Sequence, residues 1–373
     1  MDLAKGTGTV DGVSITTANI HKAIAGDGND KLIGGSDSTL LDGGRGADAL
    51  TSGGGDETLI GGAGNDKFIL KTSSGVGNDE FLGGAGVDKL ILKSAGIFDL
   101  SHTDVIFDSI ERILFETPNS GNAELILNAQ EIDEADELQN AKIIGNDGGT
   151  VDLIKIVMGS LSSLNLNSWV FKQWNNLESE LISIIGSGSV DTVVGTREDD
   201  KISGKAGDDK LKGSQGDDIL FGGQGMDLLF GGSGLDRLKG GDDRDTLLGQ
   251  SGNDTLEGGL GADLLTGGAD SDVFKYNTVQ DSLAAAGQID KIKDFQQGLD
   301  LIDLSGIDAI AGGSDNAFNF IGLSGFSSTA GELRYSTTAS ATRIIGDIDG
   351  DSVADFQIKL LTSVNLLATD FVL

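Results

Sequence analysis

The sequence predicts an all-β fold: two parallel β-rolls, a β-rich insert between them and a β-rich C-terminal cap. Three observations predict it. From Asp191 to Asp272 an aspartate recurs at every ninth residue, as Asp191, Asp200, Asp209, Asp218, Asp227, Asp236, Asp245, Asp254, Asp263 and Asp272. Two residues after each stands an apolar side chain: Val193, Ile202, Leu211, Leu220, Leu229, Leu238, Leu247, Leu256, Leu265 and Phe274. The residues before each aspartate are glycine-rich, so the unit reads G-G-x-G-x-D-x-U-x, with U apolar. Only 59 of the 373 residues are acidic, and chance does not build such a column.

The six-residue turn G-G-x-G-x-D needs backbone at positive φ, which glycine reaches at little steric cost. The following x-U-x is one short strand. Two units complete a coil of about 18 residues, with the U side chains of its two strands facing each other inside a flattened spiral. Equivalent residues then stack at roughly 4.8 Å, the spacing of parallel strands. This places the carboxylates in two columns, one per edge, where neighbouring charges repel by roughly 3 kcal/mol at an effective dielectric near 20. A hard cation that takes six to eight oxygens relieves that repulsion, and calcium fits the mixture of carboxylates and glycine-turn carbonyls. Two buried apolar side chains per coil do not offset the entropy of ordering the whole coil. The ion-free repeat is therefore expected to be disordered.

Residues 1–22 are expected to form an N-terminal cap strand, and residues 23–92 the first roll. There AGDGNDKLI, GGRGADALT, GGAGNDKFI and GGAGVDKLI supply Asp30, Asp48, Asp66 and Asp88, and Asp79 follows an insertion of four residues. Two repeats are degraded at the ligand position, which holds Thr39 in one and Glu57 in the other. Asp30, Asp48 and Asp66 share one edge, while Thr39 and Glu57 share the opposite one. One edge of this roll is expected to take metal and the other to be impaired.

Residues 93–185 lose the glycine period. IERILFE, AELILN, AKIIG and DLIKIVM read as short strands, and NAQEIDEADELQ is the best helix candidate. Trp169, Phe171 and Trp174 could stack on a sugar, but aromatic side chains at a roll junction are more often core. Residues 186–275 form the second roll. In it Ser189, Glu198, Asp243 and Asp270 replace the fourth-position glycine, where aspartate tolerates left-handed backbone better than most residues.

Residues 276–373 form the cap. DKIKDFQQGLDLIDLSGIDA, AFNFIGLSGFSSTAGELRY and GDIDGDSVADFQIKL, ending in Asp370-Phe371-Val372-Leu373, resemble the C-terminal region of serralysin-type metalloproteases. With the nonapeptides, the chain resembles the RTX, or haemolysin-type calcium-binding, family over well more than half its length. That resemblance implies several calcium ions, export by a type I secretion machinery that reads the uncleaved C-terminal region, and folding outside the cell. Within the cap, Asp347-x-Asp349-Gly350-Asp351-x-x-x-Asp355 is similar to an EF-hand loop, but Ser352 and Ile358 stand where that loop differs. A hairpin turning at Asp349-Gly350 is the favoured reading.

Composition excludes other classes. A net charge of −33 and a pI near 4.1 argue against nucleic acid as a partner. The chain has no cysteine, so neither disulfides nor thiolate sites are available. No Sec-type signal and no transmembrane run is read, so the protein is either cytosolic or leaves by a route read elsewhere in the chain, and the resemblance implies the C-terminal route to the extracellular space. The two histidines, His21 and His102, are not followed by glutamate, and no G-x-S-x-G elbow occurs. The zinc protease motif is absent, and no catalytic residue is assigned. The expected function is an extracellular calcium-binding protein that folds on binding its ions. Alternatives are the C-terminal half of a secreted hydrolase, and an adhesin or surface-layer spacer with a cell-surface or polysaccharide partner.

Overall fold

The computed structural model describes residues 14–16, 21–37, 39–71, 77–93, 96–101, 106–115, 123–128, 142–144, 153–158, 162–172, 181–285, 287–310 and 316–373. No α-helix occurs among them. The helix expected over NAQEIDEADELQ falls on residues 129–139, outside those described, apart from Asn128 at a strand end. The chain divides into two compact units, Met1–Ile185 and Gly186–Leu373.

In the first unit Lys31–Ile33, Ala49–Thr51, Lys67–Leu70 and Lys89–Leu92 pair in parallel as one sheet. Lys22–Ile24, Leu40–Arg45, Thr58–Gly64 and Glu80–Gly86 form a second. The U positions of both are buried: Leu32, Leu50, Phe68 and Leu90 on one, Ala23, Leu41, Leu59 and Phe81 on the other. The Phe68 and Phe81 rings meet edge to face with centroids 6.0 Å apart, so the two sheets share one apolar seam.

Hydrogen bonding runs through the expected boundary at residue 92. Arg112–Phe115 pairs with Lys89–Leu92 and carries Lys142–Ile144 and then Val170–Lys172 in the same parallel sense. Gly96–Leu100, Ala123–Asn128, Leu153–Val157 and Leu181–Ile185 make a further parallel ladder. Its register joins Phe98 to Leu125, Leu125 to Ile154 and Ile154 to Ile182, so each coil here takes 27–29 residues. Trp169 is buried, as a core residue would be. The side chain of Phe171 and the whole of Trp174 lie outside the described residues.

In the second unit one sheet holds Asp200–Ala206, Ile219–Gln224, Arg237–Asp242, Thr255–Leu260, Val273–Lys275, Leu301–Asp303 and Phe371–Val372 in parallel. The other begins with Thr192–Val194, Lys210–Gln215, Leu228–Ser233, Thr246–Ser251, Leu264–Ala269 and Lys291–Ile292. The register is the expected one: Leu211 lies beside Leu229, and Leu220 beside Leu238. The strands are longer than the three residues expected. Ile219–Gln224, for example, runs on through two glycines, because Gly223 still pairs with Gly241 across the turn. The cap continues this sheet: Phe356–Leu360 pairs in parallel with Lys291–Ile292 and antiparallel with Thr342–Asp347. That antiparallel pair is the expected hairpin.

Candidate metal centre

Every aspartate of the two columns in the second unit is buried. From Asp209 onward the first oxygen is committed to the fold, whereas Asp200 Oδ1 has no partner. The backbone N–H of each column residue donates to Oδ1 of the aspartate one coil later: Asp191 to Asp209 at 2.7 Å, Asp200 to Asp218 at 2.8 Å, Asp227 to Asp245 at 2.8 Å and Asp236 to Asp254 at 2.9 Å. Asp209, Asp218, Asp245 and Asp254 donate onward in the same way to Asp227, Asp236, Asp263 and Asp272. The carboxylate is thus a rivet between coils. The sequence reading, which took the column as charges relieved by a cation, did not contain this bond.

The second oxygen has a different fate. Oδ2 of Asp209, Asp218, Asp227, Asp236, Asp245, Asp254, Asp263 and Asp272 is buried with no hydrogen-bond partner. Burying such an atom unpaired is costly, so it marks a place where something else belongs. What converges on it is more oxygen. A Cβ built on Gly222 would meet Asp227 Oδ2 and lie 2.6 Å from the Gly240 carbonyl oxygen. One built on Gly61 would lie 2.5 Å from Asp66 Oδ2 and 2.7 Å from the Gly83 carbonyl oxygen. The first glycine of the turn is therefore required for space. Positive φ is the requirement at the second and fourth, such as Gly223 at 121° and Gly225 at 115°.

The electrostatics agree. Burial pushes the Asp218 carboxyl up to about 9, with the neighbouring Asp200 charge adding to it. Burial likewise raises Asp245 to about 8 and Asp227, Asp254 and Asp272 to about 7. At neutral pH several of these groups therefore hold a proton unless a cation neutralises the column. Carboxylate and carbonyl oxygens, with no sulfur or imidazole, are the donor set of a hard divalent ion. The residues present fit calcium.

The first unit is lopsided, as expected. On one edge Asp30, Asp48, Asp66 and Asp88 are linked by the same N–H to Oδ1 bonds, each 2.7 Å, and Oδ2 of Asp48, Asp66 and Asp88 is unpartnered. On the other edge Glu57 donates its N–H to Asp79 Oδ1, but the Ser52 hydroxyl lies 3.0 Å from both Glu57 Oε2 and Asp79 Oδ2. Thr39 contributes no carboxylate and donates its hydroxyl to the Asp37 carbonyl. Asp79 is placed in the column but has no open oxygen.

Sequence reasoning missed three column members. Asp263 donates its N–H to Asp290 Oδ1 at 2.8 Å, Asp272 to Asp300 Oδ1 at 3.1 Å, and Asp88 to Glu111 Oε2 at 2.6 Å. The signal was present as Asp290-x-Ile292, Asp300-x-Ile302 and Glu111-x-Ile113, in which the acid-x-apolar step survives after the nine-residue count fails. A second, exposed ladder was also missed. Side chains one place earlier accept N–H bonds across one coil, as Met226 to Asp208 and Leu235 to Asp217 show. In the cap, Asp347, Asp349 and Asp355 do come together. Asp347 accepts the N–H groups of Gly350 and Ser352, and Asp355 accepts that of Ile348, which is the bonding of a closed hairpin loop.

A stretch of 101 residues is 36% identical to Serralysin A of Dickeya chrysanthemi, covering 26% of this chain and 19% of that protein. Solution structures of the AlgE6R3 and AlgE6R2 subunits of the Azotobacter vinelandii mannuronan C5-epimerase are similar at 22% and 21% identity. Each covers 50% of this chain, with 80% and 92% of those chains matched and a TM-score of 0.24 in both cases. The family model described as Peptidase M10 serralysin C terminal matches residues 2–373, and the chain belongs to that family.

Proposed function

We propose that this chain is a calcium-dependent β-roll module of a secreted protein, folding as its ions bind. The observation that carries the reading is the set of buried, unpartnered Oδ2 atoms facing glycine carbonyls. Asp48, Asp66 and Asp88 would hold ions in the first unit, and Asp209 to Asp272 in the second, with Asp290 continuing one column. Bound calcium supplies positive charge to columns that otherwise need protons. The chain's own residues supply the coil-to-coil bonds, the apolar seam and the space. Family membership supports the same reading, as does the donor chemistry.

Far-UV circular dichroism of the whole chain tests it. The spectrum should be coil-like in chelator and turn β-type as calcium rises through roughly 10⁻⁴–10⁻³ M, the range of extracellular modules. Equal β signal in both conditions would sink the reading.

Export is proposed to proceed through the C-terminal region, read by a type I machinery while the chain is unfolded. In the folded chain Phe371–Val372 is a strand beside Leu301–Asp303, and Asp370 is buried, so these residues are offered to a receptor only before folding. A second reading, a non-catalytic module of a secreted hydrolase, is favoured by the identity with Serralysin A. No helix among the described residues is long and apolar enough to cross a membrane.

A further inference from the structure

The first turn of each column in the second unit departs from the rest. Ser187 and Thr196 occupy the second position of their turns. The Ser187 N–H donates to Asp191 Oδ2 at 2.7 Å, and its hydroxyl lies 3.0 Å from the same oxygen. The Thr196 N–H donates to Asp200 Oδ2 at 2.6 Å, and its hydroxyl lies 3.1 Å away. Each hydroxyl also accepts a backbone N–H two residues on, Ser189 to Ser187 and Glu198 to Thr196, both at 3.1 Å. Two protein donors thus occupy the oxygen that later turns leave open.

The backbone distinguishes these turns independently. At the second position Lys205, Ser214, Gly223 and Gly232 all stand at positive φ, and at the fourth so do Asp243 and Asp270. Ser187, Thr196, Ser189 and Glu198 do not. Left-handed backbone is therefore kept at the fourth position by Asp243 and Asp270 but not by Ser189 and Glu198. Ser214 is an internal control. It is a serine at the same position as Ser187, yet at φ 105° its hydroxyl bonds nothing and Asp218 Oδ2 remains open. The hydroxyl alone is not the cause; the turn must also leave the left-handed conformation. The register explains where that happens. Thr192–Val194 ends before Thr196, whereas Lys210–Gln215 runs through Ser214 to pair with Gly232.

We infer that Ser187 and Thr196 plug the first turn of each column, so the roll starts on a coil that takes no ion and calcium occupies only the turns after it. Ser52, between Glu57 and Asp79, fills the impaired edge of the first unit by the same chemistry. The plug supplies hydrogen-bond donors where a cation would supply charge. A template coil already bent to shape then receives the first ion-requiring coil. The inference rests on the calcium reading, because a plug has meaning only where other turns take ions.

Calorimetric calcium titration of the whole chain tests it, comparing the wild type with Ser187→Gly/Thr196→Gly and with Ser214→Gly. The double variant should take up about one extra ion per reopened turn, since glycine restores both the space and the left-handed backbone. Ser214→Gly should leave the stoichiometry unchanged. An unchanged count in the folded double variant overturns the inference, whereas a wild type that binds no calcium overturns the calcium reading itself. A calcium-loaded crystal structure of the wild type reads the plug without a variant. Ions should lie against Oδ2 of Asp209 and Asp218 and none against Oδ2 of Asp191 or Asp200. An ion at either of the latter two overturns the plug.

Discussion

The two edges of the first unit are built from the same repeat, yet only one keeps carboxylate oxygens open. Asp48, Asp66 and Asp88 each spend one oxygen on the neighbouring coil and keep the other open. Glu57 and Asp79 are as well buried and carry the same charge, but Ser52 lies within hydrogen-bond reach of both. A column of acids is therefore not by itself a column of open oxygens. What decides is whether an N–H or O–H has already taken the second oxygen.

The largest expected effect separates the edges directly. Replacing Asp66 by alanine removes both an open oxygen and the acceptor for the Asp48 N–H. The calcium midpoint of folding should rise roughly tenfold or more, about 1.4 kcal/mol per tenfold. Asp79→Asn should move the midpoint less than threefold, a difference that circular dichroism titration resolves. Equal shifts would erase the distinction.

A pair of glycine changes sharpens the space argument. A Cβ on Gly222 would meet Asp227 Oδ2 and the Gly240 carbonyl oxygen, whereas one on Gly188 meets nothing within 4 Å. Gly222→Ala should weaken calcium binding severalfold and Gly188→Ala should not, as read by calorimetry.

The pH dependence should change sign with the ion. In the ion-free fold Asp218, Asp245 and Asp227 have carboxyls raised from 3.8 to about 9, 8 and 7, chiefly by burial. A raised folded-state pKa stabilises the fold below the unfolded value, and this contribution is lost as pH climbs through the folded one. Chelated protein should thus gain β structure on acidification from pH 9 towards 4. Calcium must displace those protons, so its affinity should instead increase as pH rises from about 6 to 9. Parallel slopes in chelator and calcium would contradict the assignment of these groups as ligands. The smallest effect concerns the exposed ladder: Asp208→Ala removes one acceptor, that of the Met226 N–H, and should cost about 0.5–1.5 kcal/mol in calcium-loaded stability.

Much of this architecture was legible in the sequence because period and register are one quantity. An eighteen-residue repeat of D-x-U sets both which side chains face inward and which carboxylates stack. The lopsided first unit was legible from Thr39 and Glu57 alone. Less legible were features that depend on a third coordinate. Ser52 reaches Asp79 only because the coil brings residues 27 apart together. Asp290 and Asp300 join their columns after longer connections that break the count. The parallel strands of residues 96–185 show the same limit, since coils of 27–29 residues carry no short repeat to read.

The bond from each column N–H to the carboxylate one coil later also gives the chain a reading frame. Gain or loss of a single nonapeptide would move every later aspartate to the opposite edge and every later strand to the opposite sheet. A gain of two would leave all partners in phase. Links of 22 residues from Asp66 to Asp88, 27 from Asp263 to Asp290 and 28 from Asp272 to Asp300 show that extra residues are absorbed in the connection while the frame survives. Such a chain can lengthen or shorten by whole coils without redesign of what remains, so the number of coils is free to drift where the identity of each coil is not.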